Sequence, residues 1–334
     1  MTVPRDPPAG AVSQYRAARQ DAVLAGRSDL GRLLVSGHDA RDLLHRLTTQ
    51  DLRSLGTWQG TAAAFVTAKG RLIDWVILHS LEDRLLCLTG PGRSVAVAEY
   101  IEKYTFREEV KVENADRSHG TLGLFGARAR ERVARLFGES AADRPLHHPV
   151  AIRFADAEAV LARTFPLAGG GYHLTAEAGA LAALGAAILE RSAGLVVADP
   201  ACLEVLRIEA GLPAAGREVT EEYNPWEARL NDAISLDKGC YVGQEVIARL
   251  NTYKKVSKYL VRLRIDSGLP AAGARLVGQG DEAIGTLTSA VTVPGEDRVL
   301  GLGYVRDEDA ADGREIAIAD GDRRFRAIIL GPAR

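Results

Sequence analysis

The chain has 334 residues and a mass of 35.8 kDa, with 46% hydrophobic and 26% charged residues. This composition is typical of a globular protein that buries one large core or two to three smaller ones. Lysine and arginine total 42 against 44 acidic residues, a balance that argues against a polycation wrapped on nucleic acid. No apolar run approaches the ~18 residues of a membrane span, and the first residues have no signal-peptide core. We therefore expect a cytoplasmic protein with no membrane segment.

The chain has three cysteines, Cys87, Cys202 and Cys240, and no CxxC pair. This pattern argues against a disulfide framework, an all-cysteine zinc site and a self-held iron–sulfur cluster. Cys87 and Cys202 lie in apolar surroundings, and we predict that both belong to the core. No histidine shows the spacing of a metal ligand, so no metal site is predicted.

In chain order, residues 1–12 are rich in Pro, Gly and Ala and predict a flexible arm. Residues 37–47 predict a helix whose N-cap is Asp39, with its side-chain oxygen accepting an N–H of the first turn. Strands and helices then alternate without regular βαβ spacing, which favours an α+β fold. The predicted strands are 70–79, 83–89, 120–126, 151–154 and 159–165, and the predicted helices are 94–104, 127–137 and 178–192.

The pattern changes near Tyr259, where short strand-like segments are separated by Gly, Pro and Asp. We predict that residues 259–334 form a small antiparallel β domain, with a barrel as one possible arrangement. Residues 13–258 then form the main α+β region. The segments predicted as strands of the β domain are 259–266, 283–293, 299–305, 315–318 and 325–330.

The loop over residues 238–245 reads KGCYVGQE and is dense in reactive side chains. Gly239 and Gly243 let the backbone approach a ligand, and such a loop is more typical of a site than of a connector. Lys238 and a helix beginning near Gln244 would both favour a thiolate at Cys240. The alternative is a half-buried cysteine that acts as a small hydrophobe. No His or Asp partner of this thiol can be identified from the sequence.

Glu209 ends an amphipathic run over residues 202–210 that stops at Gly211. Its carboxylate could accept two parallel N–H donors from a flat heterocycle such as an aminopyrimidinone. An exposed helix-end carboxylate, or an ion pair with Arg207, explains the same spacing. Spacing alone favours these simpler alternatives.

Residues 246–265 contain no acidic side chain. This stretch is either a basic rim for an anionic ligand tail, an RNA or a protein partner, or a solvated loop and strand edge. Its six cations are Arg249, Lys254, Lys255, Lys258, Arg262 and Arg264.

The loop at 238–245 resembles the signature of the YgfZ-type folate-binding proteins. These proteins assist iron–sulfur cluster assembly or repair and are relatives of the glycine-cleavage T-protein, an aminomethyltransferase. Residues 207–211, which read RIEAG, are similar to a segment that both branches share. Residues 44–52 and 69–74 resemble N-terminal segments of the family. The resemblance extends from about residue 30 to the C-terminus.

The resemblance implies folate-binding domains in a ring-like arrangement, two α+β subdomains before the β domain, and tetrahydrofolate as cofactor. Glu209 would hold the pterin ring, and Cys240 would be the reactive or cluster-contacting thiol. On this basis the residues expected to bind folate are Glu209, Arg207, Tyr241, Gly243, Gln244, Glu245 and Arg249. The residues expected to carry chemistry are Cys240, Lys238 and Asp74.

The chain departs from the T-protein pattern at Asp74-Trp75, where T-proteins usually have two adjacent acidic residues. This departure disfavours aminomethyl transfer, in which a carboxylate assists at a folate nitrogen. The leading hypothesis is a monomeric accessory protein that forms transient complexes with iron–sulfur client or assembly proteins. The alternatives are a folate-dependent aminomethyltransferase or demethylase, and an RNA-modification partner that docks RNA on residues 246–265.

Overall fold

The computed structural model describes residues 10–278 and 280–334. Helices and strands mix along the chain, as the α+β prediction requires. The helices are α1 (Ala11–Gln20), α2 (Ala40–Leu47), α3 (Ser94–Lys103), α4 (Ala129–Phe137), α5 (Glu139–Ala142), α6 (Ala178–Glu190), α7 (Pro200–Ala210) and α8 (Gln244–Thr252). The strands are β1 (Val23–Gly26), β2 (Gly31–Ser36), β3 (Gly60–Val66), β4 (Leu72–Ser80), β5 (Arg84–Thr89), β6 (Lys111–Asn114), β7 (His119–Phe125), β8 (Pro149–Phe154), β9 (Ala157–Leu167), β10 (Gly170–Glu177), β11 (Val196–Ala198), β12 (Lys258–Ile265), β13 (Arg275–Val277), β14 (Ala283–Thr292), β15 (Val299–Arg306), β16 (Glu315–Asp320) and β17 (Arg323–Pro332).

Two sheets build the part of the chain before the barrel. One has five strands in the order β3-β4-β5-β2-β6, and the other has six in the order β11-β1-β7-β10-β9-β8. Strands β1 and β11 pair in parallel, and the remaining pairs within these sheets are antiparallel. The sequence patterns predicted β4, β5, β7, β8 and β9 and missed the other strands of these sheets, β1, β2, β3, β6, β10 and β11.

The six C-terminal strands close into a barrel in the order β12-β15-β14-β13-β16-β17, and all their pairings are antiparallel. The predicted C-terminal antiparallel β domain is therefore confirmed. Closure leaves the sheet without a free edge. The inward side chains, such as Val261, Leu287 and Ile318, form the barrel's own core.

Helix α7 lies at the centre of the molecule. Its residues Cys202 and Leu206 pack in one buried cluster with Val66, Phe125 and Leu302, which come from both sheets and from the barrel. Pro200 occupies the first turn of α7, and Asp199 caps it by accepting the N–H of Cys202 at 2.8 Å. The start of α7 is thereby fixed, so its side chains are well positioned to build a site.

Helix α2 begins at Ala40, as predicted, but its N-cap works differently from the prediction. Asp39 occupies the N-cap position without a side-chain hydrogen bond to the helix. Its Oδ2 instead accepts the N–H of Glu109 at 2.9 Å and ties the helix to the loop before β6. The prediction that the Asp39 side chain caps the first turn is therefore wrong, because a tertiary donor takes its oxygen.

The arm predicted over residues 1–12 falls mainly on residues 1–9, which lie outside the described residues, and α1 begins at Ala11. Cys87 and Cys202 are buried, as predicted, whereas Cys240 is exposed and is not a half-buried hydrophobe. Within 10–278 and 280–334, no helix combines the length and the apolar character that crossing a bilayer requires.

Candidate functional site

A cavity of about 980 Å³ lies where the two sheets, α7 and the barrel meet. This volume is at the upper end of the range of small-molecule sites. Its walls are mostly apolar, with a few polar side chains among them. The wall residues on which its chemistry depends are Asp74, Trp75, Phe165, His173, Glu204, Arg207 and Arg217.

Asp74 on β4 is a buried acid on the cavity wall. Its Oδ2 accepts the N–H of Gly90 at 2.9 Å, while Oδ1 has no hydrogen-bond partner among the described residues. Burial raises the pKa of Asp74 to about 7, against a weaker lowering by the Gly90 N–H. Near neutral pH the carboxyl group can therefore gain or lose a proton beside the cavity. That property is typical of a functional acid or base.

An aromatic pair forms another part of the wall. The rings of Trp75 and Phe165 lie 4.6 Å apart between centroids and are tilted by 37°. In the part of the chain that the structure describes, neither Trp75 Nε1 nor the ring nitrogens of buried His173 have a partner. Burial lowers the pKa of His173 well below its usual value, so its imidazole is neutral at pH 7. The cavity wall thus combines aromatic side chains with hydrogen-bonding groups that have no partner among the described residues.

Arg207 on α7 connects the cavity to the barrel. Its guanidinium group donates to Glu204 at 2.6 Å, to Glu218 at 3.0 Å and to Ser289 of β14 at 2.9 Å. Burial lowers the pKa of Arg207, but the carboxylates of Glu218 and Glu204 outweigh it and raise the pKa above its usual value. Glu218 is fully buried and also accepts the hydroxyl of Ser289 at 2.6 Å. Of the two simpler alternatives for Glu209, the ion pair with Arg207 is wrong, because Arg207 pairs with Glu204 and Glu218.

Glu209 lies on the side of α7 that faces α1. Its Oε1 accepts the hydroxyl of Tyr15 at 2.9 Å, and Arg19 and Arg298 approach the same oxygen at 3.4 and 3.8 Å. Its Oε2 is buried and has no partner within residues 10–278 and 280–334. Glu209 is outside the wall of the 980 Å³ cavity. Its assignment to the pterin ring stays a prediction.

Lys238 is buried and attaches its loop to the end of α2. Its Nζ donates to the carbonyl oxygens of His45 at 2.5 Å and of Thr48 and Gln50 at 2.7 Å. Burial lowers the pKa of Lys238 to about 7. All three N–H groups of the ammonium ion are used on helix-end carbonyls, so Lys238 positions the loop.

The rest of the predicted loop lies apart from the cavity wall. Tyr241 is buried beneath Lys238, whose Nζ is 4.8 Å from its ring centroid. Gly243 has φ +82° and precedes α8, and a Cβ there would lie 2.6 Å from the Thr67 carbonyl oxygen. Cys240 is exposed. The remaining predicted ligands, Gln244, Glu245 and Arg249, lie on α8.

The structure therefore separates the predicted site residues. Asp74 and Arg207 lie on the cavity, and Glu209 lies on α7 outside its wall. Residues 238–243 form a loop against α2 that leads into α8, where Gln244, Glu245 and Arg249 lie. Sequence reasoning missed Trp75, Phe165 and His173, which come from three separate strands. No local motif marks them, because only strand pairing brings them together. Within the residues described, no group of three His, Cys, Asp or Glu side chains could hold a metal ion.

The basic stretch at 246–265 is partly used within the fold. Lys258 Nζ lies 4.5 Å from the ring centroid of Tyr223, and Arg262 donates to the carbonyl oxygens of Leu330 and Pro332. Lys254 and Lys255 are exposed. Fewer than six of these cations are therefore available to an anionic ligand or partner on the predicted basic stretch.

Comparison with known proteins identifies relatives along nearly the whole chain. Residues 5–238 match the GCVT N-terminal domain, and residues 258–333 match the glycine cleavage T-protein C-terminal barrel domain. An aminomethyltransferase of Shouchella clausii is 27% identical over 96% of this chain and 88% of its own. An aminomethyltransferase of Symbiobacterium thermophilum is 28% identical over 96% of this chain and 88% of its own length.

A solved structure has the same fold. The glycine cleavage system aminomethyltransferase T of Bartonella henselae superposes with a TM-score of 0.83 at 21% identity, over 96% of this chain and 88% of that one. The match confirms the predicted α+β fold with its C-terminal barrel.

Proposed function

Because this chain belongs to the glycine cleavage T-protein family, we propose that its 980 Å³ cavity binds tetrahydrofolate. The observation that carries the proposal is Asp74, whose buried Oδ1 has no hydrogen-bond partner within the described chain and lies on the cavity wall. A pterin ring presents N–H donors that such an oxygen accepts, and it fits flat against aromatic side chains. Trp75 and Phe165 are aromatic side chains of the same cavity wall.

The acid–base chemistry of Asp74 also suits one-carbon transfer on folate. Tetrahydrofolate supplies one-carbon transfer when bound. Asp74, with its pKa raised to about 7, can hold or release a proton beside a folate nitrogen. Glu209 offers a second buried oxygen, Oε2, which has no partner within residues 10–278 and 280–334 and lies on the α1 side of α7, outside the cavity wall. Each carboxylate therefore has one oxygen available to a ligand donor.

We further propose that the protein serves iron–sulfur cluster assembly or repair through Cys240. The support is the resemblance of residues 238–245 to the YgfZ-type signature, together with the exposure of Cys240 on a loop that Lys238 fixes to α2. An exposed thiol on a rigid loop can reach a partner protein, whereas the buried Cys87 and Cys202 cannot. A transient complex with a client or assembly protein follows from this position.

The variant Cys240→Ser tests this role. Because Cys240 lies outside the cavity wall, the variant is expected to bind tetrahydrofolate within about twofold of wild type. In cells lacking the wild-type protein, it should leave the activity of iron–sulfur enzymes several-fold lower than the wild-type gene does. Full activity of those enzymes with Cys240→Ser would remove the role of this thiol, whatever the outcome for folate.

Aminomethyl transfer is the second candidate, because relatives that match 96% of this chain are named aminomethyltransferases and Asp74 supplies an acid on the cavity wall. Turnover of an aminomethylated carrier protein or an N-methyl substrate with tetrahydrofolate would establish it. The accessory role predicts no such turnover, with tetrahydrofolate binding retained.

A further inference from the structure

Arg334 lies against the aromatic pair of the cavity wall, although it does not line the cavity itself. The centre of its guanidinium group is 4.3 Å from the ring centroid of Phe165 and 4.8 Å from that of Trp75. The two ring centroids are 4.6 Å apart, so the three groups form a compact triangle. The Arg334 side chain is only 13% exposed, so most of this cation has exchanged water for contact with the protein.

This triangle joins the two sheets that enclose the cavity. Trp75 lies on β4 of the five-stranded sheet, and Phe165 lies on β9 of the six-stranded sheet. Because β4 and β9 belong to different sheets, no strand pairing fixes one ring against the other. A cation that contacts both rings supplies such a link, since each aromatic ring attracts the positive charge.

The backbone of Arg334 is anchored where α7 meets the barrel. The preceding residue, Ala333, is fully buried, and its N–H donates to the carbonyl oxygen of Leu260 on β12 at 3.1 Å. Gly211 ends α7 with φ +72°, and a Cβ at this position would lie 2.8 Å from the backbone nitrogen of Arg334. The Arg334 side chain therefore reaches both rings from a fixed point on a third part of the molecule.

Asp232 holds one nitrogen of the same guanidinium group. It forms an ion pair with Arg334 Nη2, and its own side chain is 44% exposed. Arg334 Nη1 is buried and has no hydrogen-bond partner within residues 10–278 and 280–334. A surface ion pair alone would leave this nitrogen in water. Its burial indicates that the aromatic rings, and not only Asp232, determine where the guanidinium group lies.

We propose that Arg334 is a positioning residue of the cavity, which holds the Trp75 and Phe165 rings together as one wall. A wall that is already ordered binds a flat heterocycle without the cost of ordering its side chains, and such preorganisation raises affinity. Loss of the cation should therefore loosen Trp75 and weaken ligand binding, although Arg334 lies outside the wall. The effect on the ligand rests on the proposed function, whereas the effect on Trp75 does not.

Acrylamide quenching of tryptophan fluorescence tests the position of Trp75. The chain has three tryptophans, so a Trp58→Phe/Trp226→Phe background leaves Trp75 alone. In this background we expect Arg334→Met to raise the quenching constant by about twofold or more, because the indole ring that loses its cation becomes more accessible to acrylamide. Arg334→Gln, which keeps an N–H donor toward Asp232 but no charge, should show the same change. Unchanged quenching in both variants would overturn the proposal.

Arg323→Met is the matched control. Arg323 also pairs with an aspartate, Asp320, and lies 5.3 Å from the ring centroid of Phe325, but its side chain is 56% exposed on the barrel hairpin. This variant should leave the quenching of Trp75 as it is in the background chain. An increase equal to that of Arg334→Met would show a general effect of losing a cation and would contradict the proposal.

Calorimetric titration with tetrahydrofolate, in the chain with all three tryptophans, tests the consequence for the ligand. We expect Arg334→Met to bind about fivefold more weakly than wild type, and Arg323→Met to bind as wild type does. Equal affinity of Arg334→Met and wild type would overturn the positioning role. Absence of binding by the wild type would instead overturn the proposed function, and the quenching measurement would still decide whether Arg334 positions Trp75.

Discussion

Asp74→Asn is expected to remove a pH-dependent destabilisation of about 4 kcal/mol. The folded pKa is about 7 and the ordinary value is 3.8, so the folded chain keeps a proton that the unfolded chain releases between these pH values. The stabilising contribution of Asp74 to the free energy of unfolding is therefore fully present below pH 3.8 and is lost as pH rises to about 7. Between these pH values each unit of pH lowers the free energy of unfolding by about 1.4 kcal/mol, and this loss levels off above pH 7.

Urea unfolding of wild type and Asp74→Asn at pH 4 and pH 8 measures this effect. The difference in free energy of unfolding between variant and wild type should grow by about 4 kcal/mol in favour of the variant between the two pH values. Asp83→Asn is the matched control, because Asp83 is exposed and pairs with Arg84 at the surface. Parallel curves for Asp74→Asn and wild type would show that this carboxyl group is not desolvated.

Arg207→Met is expected to lower the free energy of unfolding by about 3–5 kcal/mol. The substitution keeps most of the side-chain volume but leaves the fully buried Glu218 without its cation. It also removes the donor to Ser289, through which α7 contacts the barrel. A buried carboxylate that loses its partner keeps its desolvation cost without compensation.

Arg217→Met is the control for this prediction, because Arg217 pairs with Glu204 from a side chain that is 40% exposed. It should cost less than about 1 kcal/mol in urea unfolding. The double variant Arg207→Met/Glu218→Gln should recover part of the loss, since it removes the stranded charge. Equal stability of Arg207→Met and wild type would exclude a structural role for the network.

The elements that the sequence predicted well depend on local signals. The sequence Asp320-Gly321-Asp322 is typical of a hairpin turn and joins β16 to β17, and the amphipathic run over 202–210 lies within α7. Five of the six barrel strands were predicted because turn residues separate them at short intervals, whereas the three-residue β13 was missed. Each of these signals lies within a few residues of the element that it marks.

The cavity could not be predicted in the same way. Trp75 and Phe165 are 90 positions apart in sequence, yet their rings form one wall. Asp39 shows the same limit, because a donor from Glu109, rather than the helix, satisfies its side chain. Such partners depend on tertiary contacts, which single-sequence patterns do not encode.

The loop at 238–245 was predicted in part. Its unusual composition marks it as a candidate site in the sequence, but the roles of its residues depend on contacts with α2. The sequence predicts a reactive cation at Lys238, whereas in the structure its Nζ donates to three carbonyl oxygens and holds the loop.

Calorimetric titration with tetrahydrofolate tests whether the cavity beside Asp74 is a folate site. We expect one tetrahydrofolate to bind per wild-type chain and Asp74→Ala to bind it at least tenfold more weakly, with Asp83→Ala binding as wild type does. Glu209→Ala in the same series determines whether the second carboxylate also contacts the ligand. No binding by wild type, or equal affinity of Asp74→Ala and wild type, would rule out a folate site beside Asp74.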